Sequence, residues 1–201
     1  MSRSRLLSAL AAELTGALLL VASVVGSGIM GERLAGGNDA IALLGNSIAT
    51  GAMLYVLITI FAPLSGAHFN PAVTLVFALR RDLSWSLAGA YALCQMVGAV
   101  LGTTLAHVMF DLPLLHSATQ ARHGVGLWIA EMVASAALVL AILGTARARP
   151  DAIPATVALV IVAGYWFTAS TSFANPAVTI ARAFTDSFSG IRPEDVAAFI
   201  I

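Results

Sequence analysis

The chain contains no lysine, a single cysteine and few charges of either sign. Charged residues make up 10% of its 201 positions, whereas a soluble domain carries about 25%. That deficit excludes a surface wetted on all sides; most of it must face lipid or other helices. Ten arginines balance ten acidic residues, so the net charge is zero. No basic footprint for nucleic acid is present, and no nucleic-acid partner is expected. The lone Cys94 lies in an apolar run, which excludes a disulfide within the chain and a cysteine-based metal cluster. His107, His116 and His123 lack the spacing of a zinc site. Gly26, Gly28 and Gly31 form no phosphate-binding loop and read instead as helix-packing or helix-ending positions. No catalytic constellation emerges, and no metal, cofactor or enzymatic activity is expected.

What remains is apolar. The mean hydropathy is +0.93, and 59% of residues are hydrophobic. A membrane-spanning helix needs roughly 20 predominantly apolar residues. Five stretches qualify: residues 6–30, 41–62, 84–109, 125–145 and 152–168. The first is too long for a cleavable signal peptide and is read as a retained span. Two further apolar stretches, 70–79 and 175–184, are too short to cross. Each opens with Asn-Pro, and proline at the first helical position is preorganised for helix. Both therefore read as half-helices. Irregular backbone at membrane depth is tolerated only beside protein or a water-filled cavity, and two such interruptions in matching halves point to a transport site.

The halves do match. Asn70-Pro71-Ala72-Val73-Thr74 recurs as Asn175-Pro176-Ala177-Val178-Thr179, and Ala12-Glu13-Leu14 corresponds to Ala130-Glu131-Met132. Each half holds a glutamate helix, a second helix and an Asn-Pro half-helix; the first half then adds a third helix. An odd number of spans per repeat inverts the second copy. The expectation is an all-α membrane protein with one domain over residues 1–201, its repeats covering about 1–110 and about 124–201. With the amino terminus in the cytoplasm, Arg3, Arg5, Arg80, Arg81, Arg147 and Arg149 fall inside, while Arg33, Arg122 and Arg192 fall outside. That is the positive-inside bias expected of a multi-pass protein of the cell membrane.

The stretches Ser65-Gly66-Ala67-His68-Phe69-Asn70-Pro71-Ala72-Val73 and Ser170-Thr171-Ser172-Phe173-Ala174-Asn175-Pro176-Ala177-Val178 resemble the two signature loops of the aquaporin and glycerol-facilitator family, the major intrinsic proteins. The resemblance covers essentially the whole chain. It implies six helices around a central pore, two half-helices meeting at the midplane, and usually a homotetramer with one pore per subunit. It also implies passive passage of small uncharged solutes: water, glycerol-like polyols and, by analogy with broad-filter bacterial relatives, neutral metalloid hydroxides such as arsenous acid. Each half-helix would aim roughly half a positive charge at the pore centre, which opposes cations. Asn70 and Asn175 would cap these ends and offer amide donors to solute. His68 would line the pore, and Phe69 and Phe173 would pack beneath the loops. Glu13 and Glu131 sit inside apolar helices, where a carboxylate is costly. The family places such glutamates in support of the loops. Snorkelling of Glu13 toward Arg5, or proton coupling in an active transporter, are the alternatives.

Two departures stand out. The family usually carries arginine directly after the second motif; here that position is Val178. Ungapped counting places the other constriction positions at Thr50, Ala163 and Ser172. All four are small or apolar, which predicts a broad, weakly polar filter without fixed charge. The family also has a sixth span. After Pro193 too few residues follow: nine helical residues rise only about 14 Å, short of the roughly 30 Å hydrocarbon core. Pro193, Glu194 and Asp195 read as the start of that helix, with the apolar run 196–201 behind them, so a fragment is expected. One side of the second half-helix would then face lipid, with Arg182 exposed to hydrocarbon. A scaffold protein without flux is the rival that such a chain would permit.

Overall fold

The computed structural model describes residues 2–200; the outermost positions of the expected domain and of the run 196–201 lie outside them. Seven α-helices follow in order: α1 (Arg3–Leu34), α2 (Asp39–Ser65), α3 (Pro71–Leu79), α4 (Trp85–Met109), α5 (Val125–Ala148), α6 (Ile153–Phe167) and α7 (Pro176–Arg182). No strand occurs among the described residues. Five helical segments are long and apolar enough to cross a membrane, the last running from Pro150 to Phe167. They correspond to the five stretches expected from sequence. The protein is a multi-pass membrane protein.

Helix starts follow from local chemistry. Asn38 Oδ1 accepts from the backbone N–H of Ala40 and Ile41 at 3.1 and 3.3 Å, and Ser84 Oγ accepts from Leu87 N at 3.3 Å. Each satisfies donors that the first helical turn leaves orphaned. Gly66 ends α2 in the left-handed conformation, with φ 87°.

The bundle is held by small residues. Lipid supplies no hydrophobic drive between helices, so close backbone approach must supply contact. Gly98 and Gly102 of α4 face α1 so closely that a Cβ on either would overlap the carbonyl oxygens of Leu14 and Leu18 respectively. Gly31 plays the same part between α1 and α2, where a Cβ would lie 3.0 Å from Ala42 O. Large apolar side chains point outward instead: Leu140 and Leu159 are 74% and 66% exposed, which suits hydrocarbon. We expect Gly102→Ala to cost about 1–3 kcal/mol through overpacking, read as a lower thermal midpoint in detergent. Gly126→Ala, where the added carbon meets open space, should leave the midpoint unchanged.

Three expectations about the chain's last part are corrected. The segment opening at Pro193 forms two 3-10 turns, Pro193–Asp195 and Ala197–Phe199, rather than a continuous helix. Asp195 draws it back by accepting from Arg122 N at 2.8 Å and Arg192 Nε at 3.0 Å. Phe199 then packs edge-on against Phe173, with ring centroids 5.1 Å apart. Arg182 is buried, at 2% exposure, and does not face hydrocarbon. The second half-helix stops there, short of residue 184. Ala183 N and Phe184 N form i→i−3 bonds to Ile180 O and Ala181 O, tightening the chain into a turn.

Candidate functional site

The half-helices α3 and α7 meet head to head, each opened by its proline. Asn70 Oδ1 accepts from Ala72 N at 2.8 Å and Val73 N at 3.4 Å. Asn175 Oδ1 accepts from Ala177 N at 3.0 Å and Val178 N at 3.4 Å. Pro71 and Pro176 occupy the first helical positions, where a missing N–H costs nothing. The amide nitrogens reach across: Asn70 Nδ2 donates to Ala174 O at 2.7 Å, and Asn175 Nδ2 donates to Phe69 O at 2.9 Å. Each asparagine thus caps its own half-helix and ties it to the opposite loop. An amide nitrogen has two N–H groups, so one on each remains for a solute.

The loops need external support because their backbones are strained. Ala67, Phe69, Thr171, Ser172 and Ala174 all have positive φ, between 45° and 62°, at about 1–2 kcal/mol per residue. Two buried carboxylates hold these turns. Glu13 accepts from His68 N at 3.0 Å and Phe69 N at 2.7 Å, and from Ser65 Oγ at 2.6 Å. Gln95 Nε2 donates to it at 2.7 Å and to Thr74 Oγ1 at 2.9 Å. Glu131 accepts from Phe173 N at 2.9 Å and Ala174 N at 2.8 Å. The same two backbone positions before each asparagine are therefore served in both halves. Glu13 does not snorkel toward the interface; it is fully buried. Gln95, the one amide in the apolar α4, was not singled out from sequence; an intramembrane polar side chain was the available signal.

A cavity of about 560 Å³ passes the meeting point of the half-helices. Asn70 and Asn175 line it, as do His68, Thr50, Ser172 and Val178. Its flanks are mostly aliphatic, including Leu20, Val24, Leu138 and Ile161. His68 Nδ1 lies 3.1 Å from Thr74 Oγ1, and its ring stands 4.7 Å from that of Phe77. Phe69 and Phe173 are buried beneath the loops while also bordering the cavity.

The expected constriction needs two corrections. Ala163 lies on the exposed face of α6 and does not border the cavity. Counting back from Asn175 crosses the non-helical stretch 168–174, where the 100° helical phase is lost. Gly164 takes the inward place, so close to Ser172 that a Cβ would sit 2.6 Å from its Oγ. Tyr165 borders the cavity beside it, its hydroxyl 3.3 Å from Thr50 Oγ1. The wall is also not free of charge, because Arg182 borders the same cavity. Tyr165 was missed from sequence, since an aromatic at the end of a span reads as an interface anchor.

The model of the major intrinsic protein family matches residues 1–165. Aquaglyceroporin AqpS of Rhizobium meliloti (strain 1021) is 56% identical over 190 residues, covering 94% of this chain and 81% of that protein. Probable aquaporin PIP2-8 of Oryza sativa subsp. japonica is 41% identical over 116 residues, covering 57% of this chain and 39% of that protein. The structure of the aquaglyceroporin from Plasmodium falciparum matches with a TM-score of 0.72 at 19% identity, covering 86% of this chain and 78% of that one. That last likeness is one of fold. With paired half-helices, their capping asparagines and a family match over most of its length, the chain belongs to the major intrinsic protein family.

Proposed function

We propose that the protein is a passive channel for small uncharged solutes: water, glycerol-like polyols, and neutral metalloid hydroxides such as arsenous acid. The observation that carries this reading is the pair of capped half-helices facing one another inside an aliphatic-walled cavity. A neutral solute accepts hydrogen bonds from the free N–H groups of Asn70 and Asn175. A cation meets two positive helix ends and walls that cannot replace its hydration. Val178, Thr50 and Ser172, all short side chains on the cavity wall, favour solutes larger than water. His68 lines the pore on the α3 side. The name of the Rhizobium relative, an aquaglyceroporin, points the same way. In this reading the two repeats form one channel unit, assembled as a homotetramer in the cell membrane with the amino terminus in the cytoplasm.

Uptake of labelled glycerol and arsenous acid into proteoliposomes tests the proposal. Both should equilibrate, and both should do so equally fast after a protonophore collapses the pH gradient. Uptake that needs the gradient would favour a proton-coupled transporter, and no uptake would favour a scaffold. The glutamates favour the channel, since both carboxylates are already engaged by the loops.

A second expected result concerns Val178. Val178→Arg adds bulk and a second guanidinium one helical turn from Arg182. Glycerol permeability should fall about tenfold or more, while water falls far less. Equal loss of both would mean misfolding rather than narrowing.

A further inference from the structure

We propose that Arg182 is a specificity-determining residue of the pore: a cation set one helical turn beyond Val178 that repels charged solutes and donates hydrogen bonds to hydroxylated ones. The proposal rests on the channel reading above.

Val178 and Arg182 are four residues apart on α7, so they share a helix face, with Arg182 about 6 Å further from the meeting point of the half-helices. Both border the cavity. Arg182 is buried, yet no carboxylate pairs with it among the described residues. Its Nε donates to Ser189 O, and its Cζ lies 3.5 Å from the Phe173 ring centroid. The two terminal nitrogens make no hydrogen bond to described residues, and neither is among the buried side-chain atoms sealed without a partner. The residue keeps a little accessible surface, 2%, and borders the cavity. An unpaired guanidinium inside a membrane protein is costly, and here the cavity is what can solvate it.

The group is also held in place. Phe173, on which it stacks, is fixed by its N–H bond to Glu131 and by Phe199. Arg122 approaches the same ring, its Cζ 5.1 Å from the centroid, which adds to the positive field at this end. The consequence is a division of labour along α7. Val178 leaves the wall beside the asparagines neutral and short, so polyols and similar oxygen-rich solutes pass. Arg182 supplies, one turn away, the charge and the planar fork of donors. Anions drawn toward it then meet the aliphatic wall of Val178, Ile161 and Leu54, which offers nothing in exchange for their hydration.

The test compares the native protein with Arg182→Gln and Arg182→Lys in matched proteoliposomes, reading cation leak, water flux and glycerol flux. Arg182→Gln keeps donors but loses the charge. Its cation leak should rise about tenfold or more, read in vesicles whose water flux shows that the pore is open. Arg182→Lys keeps the charge and loses the fork. It should stay tight to cations while its glycerol-to-water ratio falls several-fold. A water-conducting Arg182→Gln as tight to cations as native overturns the proposal. So does a lysine variant as leaky as the glutamine one, or with a native glycerol-to-water ratio. If Arg182→Gln does not fold, the lysine variant decides by those two readings. A native protein that passes neither water nor glycerol would instead overturn the channel reading itself.

Discussion

Glu13→Leu is expected to yield no folded channel. Four donors converge on this carboxylate: two backbone N–H groups of the first loop, the Ser65 hydroxyl and the Gln95 amide. Glu13 is fully buried, and its bonds to Phe69 N and Gln95 are buried with it. Leucine fills the space and satisfies none of them. Each orphaned buried donor costs about 1–3 kcal/mol, and the loop's positive-φ residues lose the contact that offsets their strain. The sum is comparable with the whole stability of an ordinary protein, about 5–15 kcal/mol. Size-exclusion chromatography in detergent should show aggregate, and water flux should be at background. Glu13→Gln keeps one acceptor oxygen but turns an N–H toward donors, so a reduced yield of functional channel is expected. Native water flux through Glu13→Leu would show that the loop holds its shape without the carboxylate.

The second large effect is expected from Asn175→Asp. The aspartate oxygen can still cap α7 in place of Oδ1. The other oxygen, however, replaces the nitrogen that donates to Phe69 O at 2.9 Å. A donor–acceptor contact becomes oxygen against oxygen, and a negative charge appears where two positive helix ends converge. The tie between the two halves is lost together with the electrostatic barrier. Ionic conductance in voltage-clamped cells should rise well above the native background, and glycerol flux should fall. Asn70→Asp should behave alike, because Asn70 Nδ2 makes the mirror contact to Ala174 O at 2.7 Å. Unchanged ionic conductance in a folded, water-conducting Asn175→Asp would contradict the electrostatic account.

Much of this arrangement was legible from residues alone, for identifiable reasons. The five spans are long and uniformly apolar, so composition locates them. The half-helices announce themselves because Asn-Pro begins a helix and the apolar stretches 70–79 and 175–184 are too short to cross. The duplicated Glu13 and Glu131 stood out because a carboxylate in a span needs a reason. Ala163 failed because helical phase does not survive an irregular loop, and only the packing of Gly164 against Ser172 restores it. Arg182 was visible as a charge, but its destination was not. Stacking on Phe173 and a bond to the Ser189 carbonyl depend on how the segment after α7 folds back, and no spacing rule encodes that. Gln95 likewise acquires meaning only when α4 packs against α1 through Gly98 and Gly102 and brings the amide to Glu13.

Stopped-flow light scattering on proteoliposomes, with water and glycerol gradients applied in turn, tests the central claim most directly. The account predicts that both solutes cross far faster than in empty vesicles, with no accompanying ionic conductance. Fast water flux with glycerol held at the rate of empty vesicles would contradict it.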